Sequence, residues 1–509
     1  MRNFELPGRS PVYAPHAMAC TSHPLATQAA VEILKSGGNA LDAAVAAGAV
    51  QCAVEPGSTG IGGDCFCLYW PAGTDKPLAF NGSGRAPAAA RAEWYAGEGI
   101  GKIARTSPHA VTIPGAVDAW SRLIADHGRK PLKELLQPAI AYASDGYPIA
   151  PRVQFDFVKQ LPILRGNEVA ASTLLVEGGA PRVGAVQRQP RLAASLELIV
   201  EHGRDAFYTG EVAQDMVEAL RALGGLHSLD DFAGHRGDYV EPIFSEFRGY
   251  RVWECPPNGQ GAIALLLLNM LSEAALDSGP LDPRRIHMEI EAARLAYRQR
   301  DLLIADPSFA SVPVGQILSP GFAAELVAAI DPEKAAVRLP EPPLPPQAST
   351  VYIAVVDQDR NACSYINSLF APFGSGIMTP RTGIMLHNRG QGFSLDPGSP
   401  NCIAPGKRPL HTIIPGFVSK EERAVMPFGV MGGAYQALGH AQFLTRHFDY
   451  GLDIQEAIDC ARFFPQPETG EVEVESGVPA DAFAALRARG HALIPPSRPI
   501  GGTQAIWID

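Results

Sequence analysis

The chain contains no C-x-x-C pair, and its eight cysteines are scattered through 509 residues, with only Cys65 and Cys67 close together. A disulfide framework or a thiolate metal site needs clustered cysteines, so neither is expected, and a reducing cytoplasm is the default compartment. Histidines are equally dispersed. His287, His411 and His440 stand apart from any ligand spacing, and no metal or cofactor is expected. A basic block is missing too, and the formal net charge of −11 argues against a nucleic-acid surface. The longest apolar run, Ala262 to Leu268, is too short to span a bilayer. Pro7, Pro11 and Pro15 interrupt the stretch where a signal peptide would need its apolar core. Neither nucleic acid nor membrane is therefore expected as a partner.

What is present is a 46% hydrophobic chain, enough to bury one large core or two to three ordinary ones. "ATQAAVEILKSGGNALDAAVAAGAV" reads as two small-residue helices broken at Gly37-Gly38, with Asn39 as the N-cap of the second. The glycine-rich run Gly57 to Gly63 lacks the lysine of a phosphate loop and does not fit G-x-G-x-x-G. It reads either as a close-approach loop in an active-site wall or as a plain tight turn.

The middle of the chain shows helical spacing in "PLKELLQPAIAYASDGYPI", "QPRLAASLELIVEHG", "GEVAQDMVEALRALGG" and "HMEIEAARLAYRQRDLLIADP". "FRGYRVWECPP" reads as a strand, with a helix from Gly261 to Ala275 after it. Beyond Thr350, "GSGIMTPRTGIMLHN", "GKRPLHTIIPGFV" and "AVMPFGVMGGAYQALGHA" are short apolar runs punctuated by glycine and proline, expected as strands and turns. Grouped helices and grouped strands predict a layered α+β fold rather than alternating βαβ units.

Five of the eight residues from Leu339 to Pro346 are proline, an extended linker composition. At Ser349-Thr350 this linker runs directly into the β-rich stretch Val351 to Val356. Asp357 to Asn361 is rich in turn formers, and Ala362 to Ser368 supplies the partner strand. Centring the turn on Asp359 pairs Val355 with Cys363 and sets Thr350 opposite Ser368. A slip of one residue would break that match.

A threonine hydroxyl is a weak nucleophile at neutral pH unless a base takes its proton. A cut between Ser349 and Thr350 would give Thr350 a free α-amino group of pKa about 7.7–8.0, a base on the same residue. Thr350 Oγ can make the cut itself by attacking the preceding carbonyl, leaving an ester that water hydrolyses. The alternative is a linker entering an ordinary strand, where threonine is common. Gly432-Gly433, between a strand and a helix, can offer backbone N–H groups to an oxyanion, or can serve only as a turn needing positive φ.

Motifs in one order along almost the whole chain carry a resemblance. They include "GGNALDAAVAAGAVQCAVEPGSTGIGGDCF", "GRAPAAA", "VTIPGAVDAW", "RGYRVWECPPNGQG", "VYIAVVDQDRNACSYINS", "FGSGIMTPRTGIMLHN", "APGKRPLHTIIP" and "MGGAYQALG". The chain resembles the gamma-glutamyltranspeptidase family of N-terminal-nucleophile hydrolases, and within it looks like the cytoplasmic bacterial glutathione-hydrolase-like proenzymes. The resemblance implies a four-layer αββα sandwich and self-cleavage into a large subunit, residues 1–349, and a small subunit, residues 350–509. The two fragments would remain together as a heterodimer able to dimerise further.

By the same resemblance Thr350 is the nucleophile, although Val351 stands where the family has a second threonine. Ser368 takes the place of the supporting threonine, and Gly432 and Gly433 that of the oxyanion-hole glycines. The substrate contacts depart from the family's pattern. Ser83 stands for the arginine that grips the substrate α-carboxylate, with Arg85 two residues on along the same strand face. Phe370 and Gly392 stand for the asparagine and the acid that bind the α-ammonium, and His411-Thr412 for a serine pair.

A small-molecule amide bearing a carboxylate and no ammonium would suit Arg85, Arg389 or His411. The activity implied is hydrolysis of a γ-glutamyl or similar amide, favoured over transfer. A second reading is an acylase for dicarboxylic monoamides of glutaryl or oxamate-like type. A third is a non-catalytic binding protein that stays an intact 54.1 kDa chain.

Overall fold

The computed structural model describes residues 9–273, 279–336, 350–467 and 469–509. The proline-rich linker and Ser349 lie outside the described residues. Strand Val351–Val356 pairs antiparallel with Ala362–Ser368 in the expected register, Val355 opposite Cys363 and Val351 opposite Asn367. The turn fixes that register. Asp357 Oδ1 accepts from the N–H groups of Asp359 and Asn361 at 2.9 and 3.0 Å, and Oδ2 accepts from Asn361 Nδ2 at 2.8 Å.

Oδ2 also accepts from the N–H of Ala40 at 3.0 Å, at the start of helix Ala40–Val54. A carboxylate there complements the partial positive charge of the helix N-terminus. Asn39 caps this helix as expected, in a reciprocal capping box with Asp42. All fifteen residues of the helix are buried, which its small side chains permit: Gly48 lies against the Tyr365 ring.

Six strands form one sheet in the order Met18–Cys20, Val351–Val356, Ala362–Ser368, Asp64–Trp70, Leu78–Gly82, Asp238–Val240. Five form a second, in the order Gly502–Ala505, Arg423–Met431, Gly416–Lys420, Tyr250–Glu254, Ile243–Phe247. Alternation sorts the side chains of the hairpin into two cores. Tyr352, Ala354 and Val356 face the second sheet with Trp253, Phe417 and Ile506. Ile353 and Val355 face the helices, in one cluster with Val45 and Ala49. Both faces are buried, which is why the strand reads as an unbroken apolar run.

Between the sheets Trp70 meets Trp253 edge-on at 6.0 Å and Phe417 at 5.7 Å. The outer face of the second sheet, through Val418, Phe428 and Val430, is covered by helices Gly261–Ser272 and Gln436–Phe448. The layers run helix, sheet, sheet, helix. Each sheet mixes strands from before and after Thr350, so the two segments are interleaved rather than side by side.

Two expectations need correcting. The stretch from Gly374 to Asn388 contains no strand. It winds through turns at Gly374, Gly376 and Gly383, whose φ values of +52, +75 and +66° are poor for strands, and makes single bridges such as Met378 to Met385. The helix beginning at Gly261 ends at Ser272, and residues 274–278 are outside the described set. Among the described residues no helix is long and apolar enough to cross a membrane.

Contact between the sheets is tight at Gly429, where an added Cβ would overlap the Tyr352 ring. Gly429→Ala is therefore expected to destabilise the fold by about 1–3 kcal/mol through overpacking. Calorimetry checks this against Gly101→Ala, whose Cβ would meet nothing within 4 Å and which should leave the transition unmoved.

Candidate active site

The hairpin register delivers two hydroxyls to one point. Thr350 Oγ1 and Ser368 Oγ lie 3.1 Å apart, with Thr350 3% exposed and Ser368 fully buried. Ser368 Oγ accepts from the N–H of Phe370 at 2.9 Å. Phe370 holds a left-handed φ of +76°, uncommon for a bulky residue, which turns the chain back on itself at the strand end. Arg389 Nη2 approaches Ser368 Oγ at 3.5 Å, and its guanidinium lies 4.1 Å from the centre of the Phe370 ring.

From Arg389 a chain of hydrogen bonds reaches the glycine pair. Arg389 Nη1 donates to Thr412 Oγ1 at 2.8 Å. Gln260 Nε2 donates both to the Thr412 carbonyl at 2.8 Å and to the Gly433 carbonyl at 3.1 Å, while Arg300 Nη1 donates to Gln260 Oε1 at 3.0 Å. Gly432 and Gly433 have φ of +134 and +62° and lead into helix Gln436–Phe448. A Cβ at Gly432 would stand 2.6 Å from the Ile500 carbonyl.

The glycine-rich run is a close-approach loop, the first of its two readings. Asn367 Nδ2 donates to Thr59 Oγ1 at 2.7 Å, and the N–H groups of Leu369 and His387 donate to the carbonyls of Ser58 and Gly62. A Cβ on Gly62 or Gly63 would collide with the carbonyl of Met385 or Ser368.

Behind Ser368, and paired with it across the strands, lies Asp64. Asp64, His387, Arg389 and His411 are all fully buried. Asp64 Oδ1 accepts from the N–H groups of Gly84 and Gly115 at 3.0 and 3.3 Å. Oδ2 lies 3.0 Å from His411 Nε2, 3.5 Å from His387 Nδ1 and 4.0 Å from Arg389 Nε. Burial pushes the Asp64 carboxyl up, but His387, His411 and Arg389 together outweigh it and hold the group below the ordinary carboxylate range. Burial pulls Arg389 down to about 9 against the pull of Asp64, so the guanidinium is still cationic at neutral pH. Burial, then the charge of Arg389, pull His411 down to about 3. His411 is thus neutral. Its Nδ1 accepts from the N–H of Ile413 at 3.4 Å and its Nε2–H donates to Asp64.

Of the residues singled out from sequence, Thr350, Ser368, Arg389, His411, Thr412 and Gly433 come together here, with Gly432 adjoining. Ser83 and Arg85 do not join them. Ser83 is fully buried, its Oγ accepting from Asn258 Nδ2 at 3.1 Å. Arg85 turns outward to Asp238 at 3.2 Å, the Gly406 carbonyl at 3.2 Å and Asp306 at 3.8 Å, so its charge is already matched. Ser349 is outside the described residues.

His287 and His440 are also less isolated than their spacing implied. His440 Nδ1 bonds Glu254 at 2.6 Å, and His287 meets Glu291 and His491 with ligand atoms within 4.8 Å. His287 and His491 bond each other at 2.7 Å, and Glu291 accepts from Arg294 and the N–H of Ala336. Sequence reasoning missed Asp64 and His387. The available signal was an acid opening an otherwise apolar strand, "DCFCLYW". A cavity of about 480 Å³ adjoins the site, lined by Ala371 and Pro372, next after Phe370, by Ala434, next after Gly433, and by Arg105, Lys159 and Phe464.

A helix–sheet–sheet–helix sandwich of this kind, with the site at the head of a central strand, is the architecture of N-terminal-nucleophile hydrolases. The family model described as Gamma-glutamyltranspeptidase matches residues 26–509, and the chain belongs to that family as one of its enzymes. It is 36% identical over 483 residues to the glutathione hydrolase-like YwrD proenzyme of Bacillus subtilis, covering 94% of this chain and 91% of the relative. It is 35% identical over 486 residues to the oxamate amidohydrolase proenzyme of Klebsiella pneumoniae, with the same coverage of each. Among solved structures, the cephalosporin acylase of Bacillus halodurans superposes with a TM-score of 0.91 at 39% identity, covering 100% of this chain and 95% of that one.

Asp64 contributes stability as a charged group. Because its folded pKa is depressed, that contribution is complete above the unfolded carboxylate value of about 4 and is lost as pH falls through the folded one. Asp64→Asn should cost about 3–5 kcal/mol at neutral pH by leaving the buried Arg389 guanidinium unmatched. The variant should also lose less stability than wild type on acidification from about pH 4 to pH 2. Denaturant titrations at a series of pH values check both.

Proposed function

We propose that the protein is a self-processing threonine amidohydrolase, a reading carried by the 3.1 Å contact between Thr350 Oγ1 and Ser368 Oγ at the head of the central strand. In maturation Thr350 Oγ attacks the Ser349 carbonyl, the peptide C–N bond breaks to an ester, and water releases residues 1–349 from 350–509. The freed α-amino group of Thr350 then serves as base. In turnover it takes the proton from Oγ as Oγ adds to the substrate amide carbon. Ser368 donates its hydroxyl proton in a hydrogen bond to Thr350 Oγ, and the N–H groups of Gly432 and Gly433 receive the oxyanion. The amine proton passes to the leaving nitrogen as the C–N bond breaks. Water, deprotonated by the same amine, then cleaves the acyl-enzyme.

For the acyl group we favour a carboxylate-bearing chain without an α-ammonium. Arg389 is the cation beside Ser368, and the one acid in the cluster, Asp64, has both oxygens engaged, Oδ1 by two backbone N–H groups and Oδ2 by His411. Within that cluster a substrate ammonium would meet no open carboxylate, and a carboxylate would find a guanidinium. The amidohydrolase and acylase names of two relatives support this choice. γ-Glutamyl compounds are the second reading, favoured by the family match and by the glutathione hydrolase-like relative.

Intact mass should give two fragments divided before Thr350 for wild type and one 54.1 kDa chain for Thr350→Ala. An uncut wild-type chain would overturn the mechanism. On paired anilides, the glutaryl compound should be cleaved faster than the γ-glutamyl one. Arg389→Lys should raise KM for the glutaryl anilide by about 10- to 100-fold, the loss of one charged hydrogen bond, with a smaller effect on kcat. Preference for the γ-glutamyl anilide would transfer the assignment to the second reading.

A further inference from the structure

Charge within the Asp64 cluster is not balanced in a way that suits an incoming anion, and the imbalance centres on His387. His387 Nε2 lies 2.8 Å from the Thr112 carbonyl, which only accepts, so Nε2 carries a proton. His387 Nδ1 faces Asp64 Oδ2 at 3.5 Å and has no hydrogen-bond partner among the described residues. With Nδ1 bare, two lone pairs oppose each other. With Nδ1 protonated, the ring is an imidazolium donating to a carbonyl on one side and facing a carboxylate on the other. His411 cannot share this role, because both its nitrogens are committed as donor and acceptor.

With His387 neutral, Asp64 and Arg389 cancel, and a bound carboxylate would leave a net negative charge in a fully buried site. With His387 protonated, the bound carboxylate brings the cluster to neutrality. Resting on the reading above, we propose that His387 is a specificity-determining residue whose protonation at Nδ1 is taken up with the acyl carboxylate, making anion binding at Arg389 proton-linked. His387 acts through Asp64. Its second proton holds the carboxylate and releases the field of Arg389 toward the ligand.

The groups facing His387 set the direction of the linkage. Asp64 and the Thr112 carbonyl favour its charged form, while burial and Arg389 oppose it, so in the unliganded protein the imidazolium is held below its ordinary value. Both neighbouring histidines, His411 and His227, are neutral by burial and add no charge of their own. A carboxylate beside Arg389 offsets the guanidinium's opposition, leaving burial alone against the charged form. Affinity for the anion should therefore rise as pH falls through the range between the two values, by at most about tenfold per pH unit for one linked proton.

Glutarate, a dicarboxylate without an amine, is the probe. Calorimetric titration of the purified full chain in two buffers of different ionisation enthalpy should show uptake approaching one proton per glutarate. The dissociation constant should fall with pH between about pH 8 and pH 6, above the range where glutarate's own carboxyls take up protons. Glutaramide, neutral at both ends, should show no such slope. His387→Gln, whose side-chain amide can still donate to Thr112, should bind glutarate more weakly and lose the slope. Binding without proton uptake, no binding of glutarate at all, or a slope retained in His387→Gln would each overturn the proposal. Because titration needs no turnover, proton-linked binding by a chain that cleaves no amide would refute the catalytic reading and uphold this one.

Discussion

Cross-strand pairing between Val351–Val356 and Ala362–Ser368 is the constraint on which the site depends. Side chains alternate along a strand, so a shift of one residue would send Tyr352 toward the helices and Ile353 between the sheets. It would also carry Ser368 away from Thr350. Asp357 forestalls that slip by tying the turn to itself and to the first N–H of the buried helix Ala40–Val54. An acid at one end of the hairpin thus sets the spacing of two hydroxyls at the other.

The hydroxyl pair rests in turn on a group of charges that would be costly if any were left alone. Asp64 has five polar neighbours, two backbone N–H groups, two imidazoles and a guanidinium, and Arg389 links that carboxylate to Thr412 and Ser368. Removing charges wholesale for apolar packing often stabilises a core, so a retained cluster of this kind points to specificity rather than stability. The glycine-rich loop makes the arrangement possible by bringing backbone, without side chains, against the Ser368 and Met385 carbonyls.

Much of this was legible in the sequence because it is local. The helix break at Asn39, the hairpin register and the layered α+β class follow from capping chemistry, turn composition and alternation, each acting within a few residues. The Gly432-Gly433 turn was likewise visible as a strand-to-helix junction. Long-range matching was not legible. Arg85 looked available for a ligand until Asp238 and Asp306, far along the chain, were found to hold it. His387 carried no pattern of its own and Asp64 only its place at the head of an apolar strand, and both acquire meaning where a strand end, a turn and the segment after Pro409 converge. Apolar runs between Gly374 and Asn388 suggested strands, but three left-handed glycines outweigh them.

Interleaving of the two sheets has a thermodynamic consequence for the life of the molecule. The strands Val351–Val356 and Ala362–Ser368 are flanked on both sides by strands from earlier in the chain, and the second sheet is likewise shared. While the chain is whole, those pairings are intramolecular and the ends meet at a high effective concentration. If the chain is severed before Thr350 as proposed, the same contacts join two polypeptides, and recovery from unfolding becomes a second-order reaction between exposed apolar fragments. Endurance of the cut form is then governed by how slowly it opens rather than by an equilibrium with its unfolded state. On the proposed maturation, such a protein would fold once as a single chain and thereafter persist kinetically.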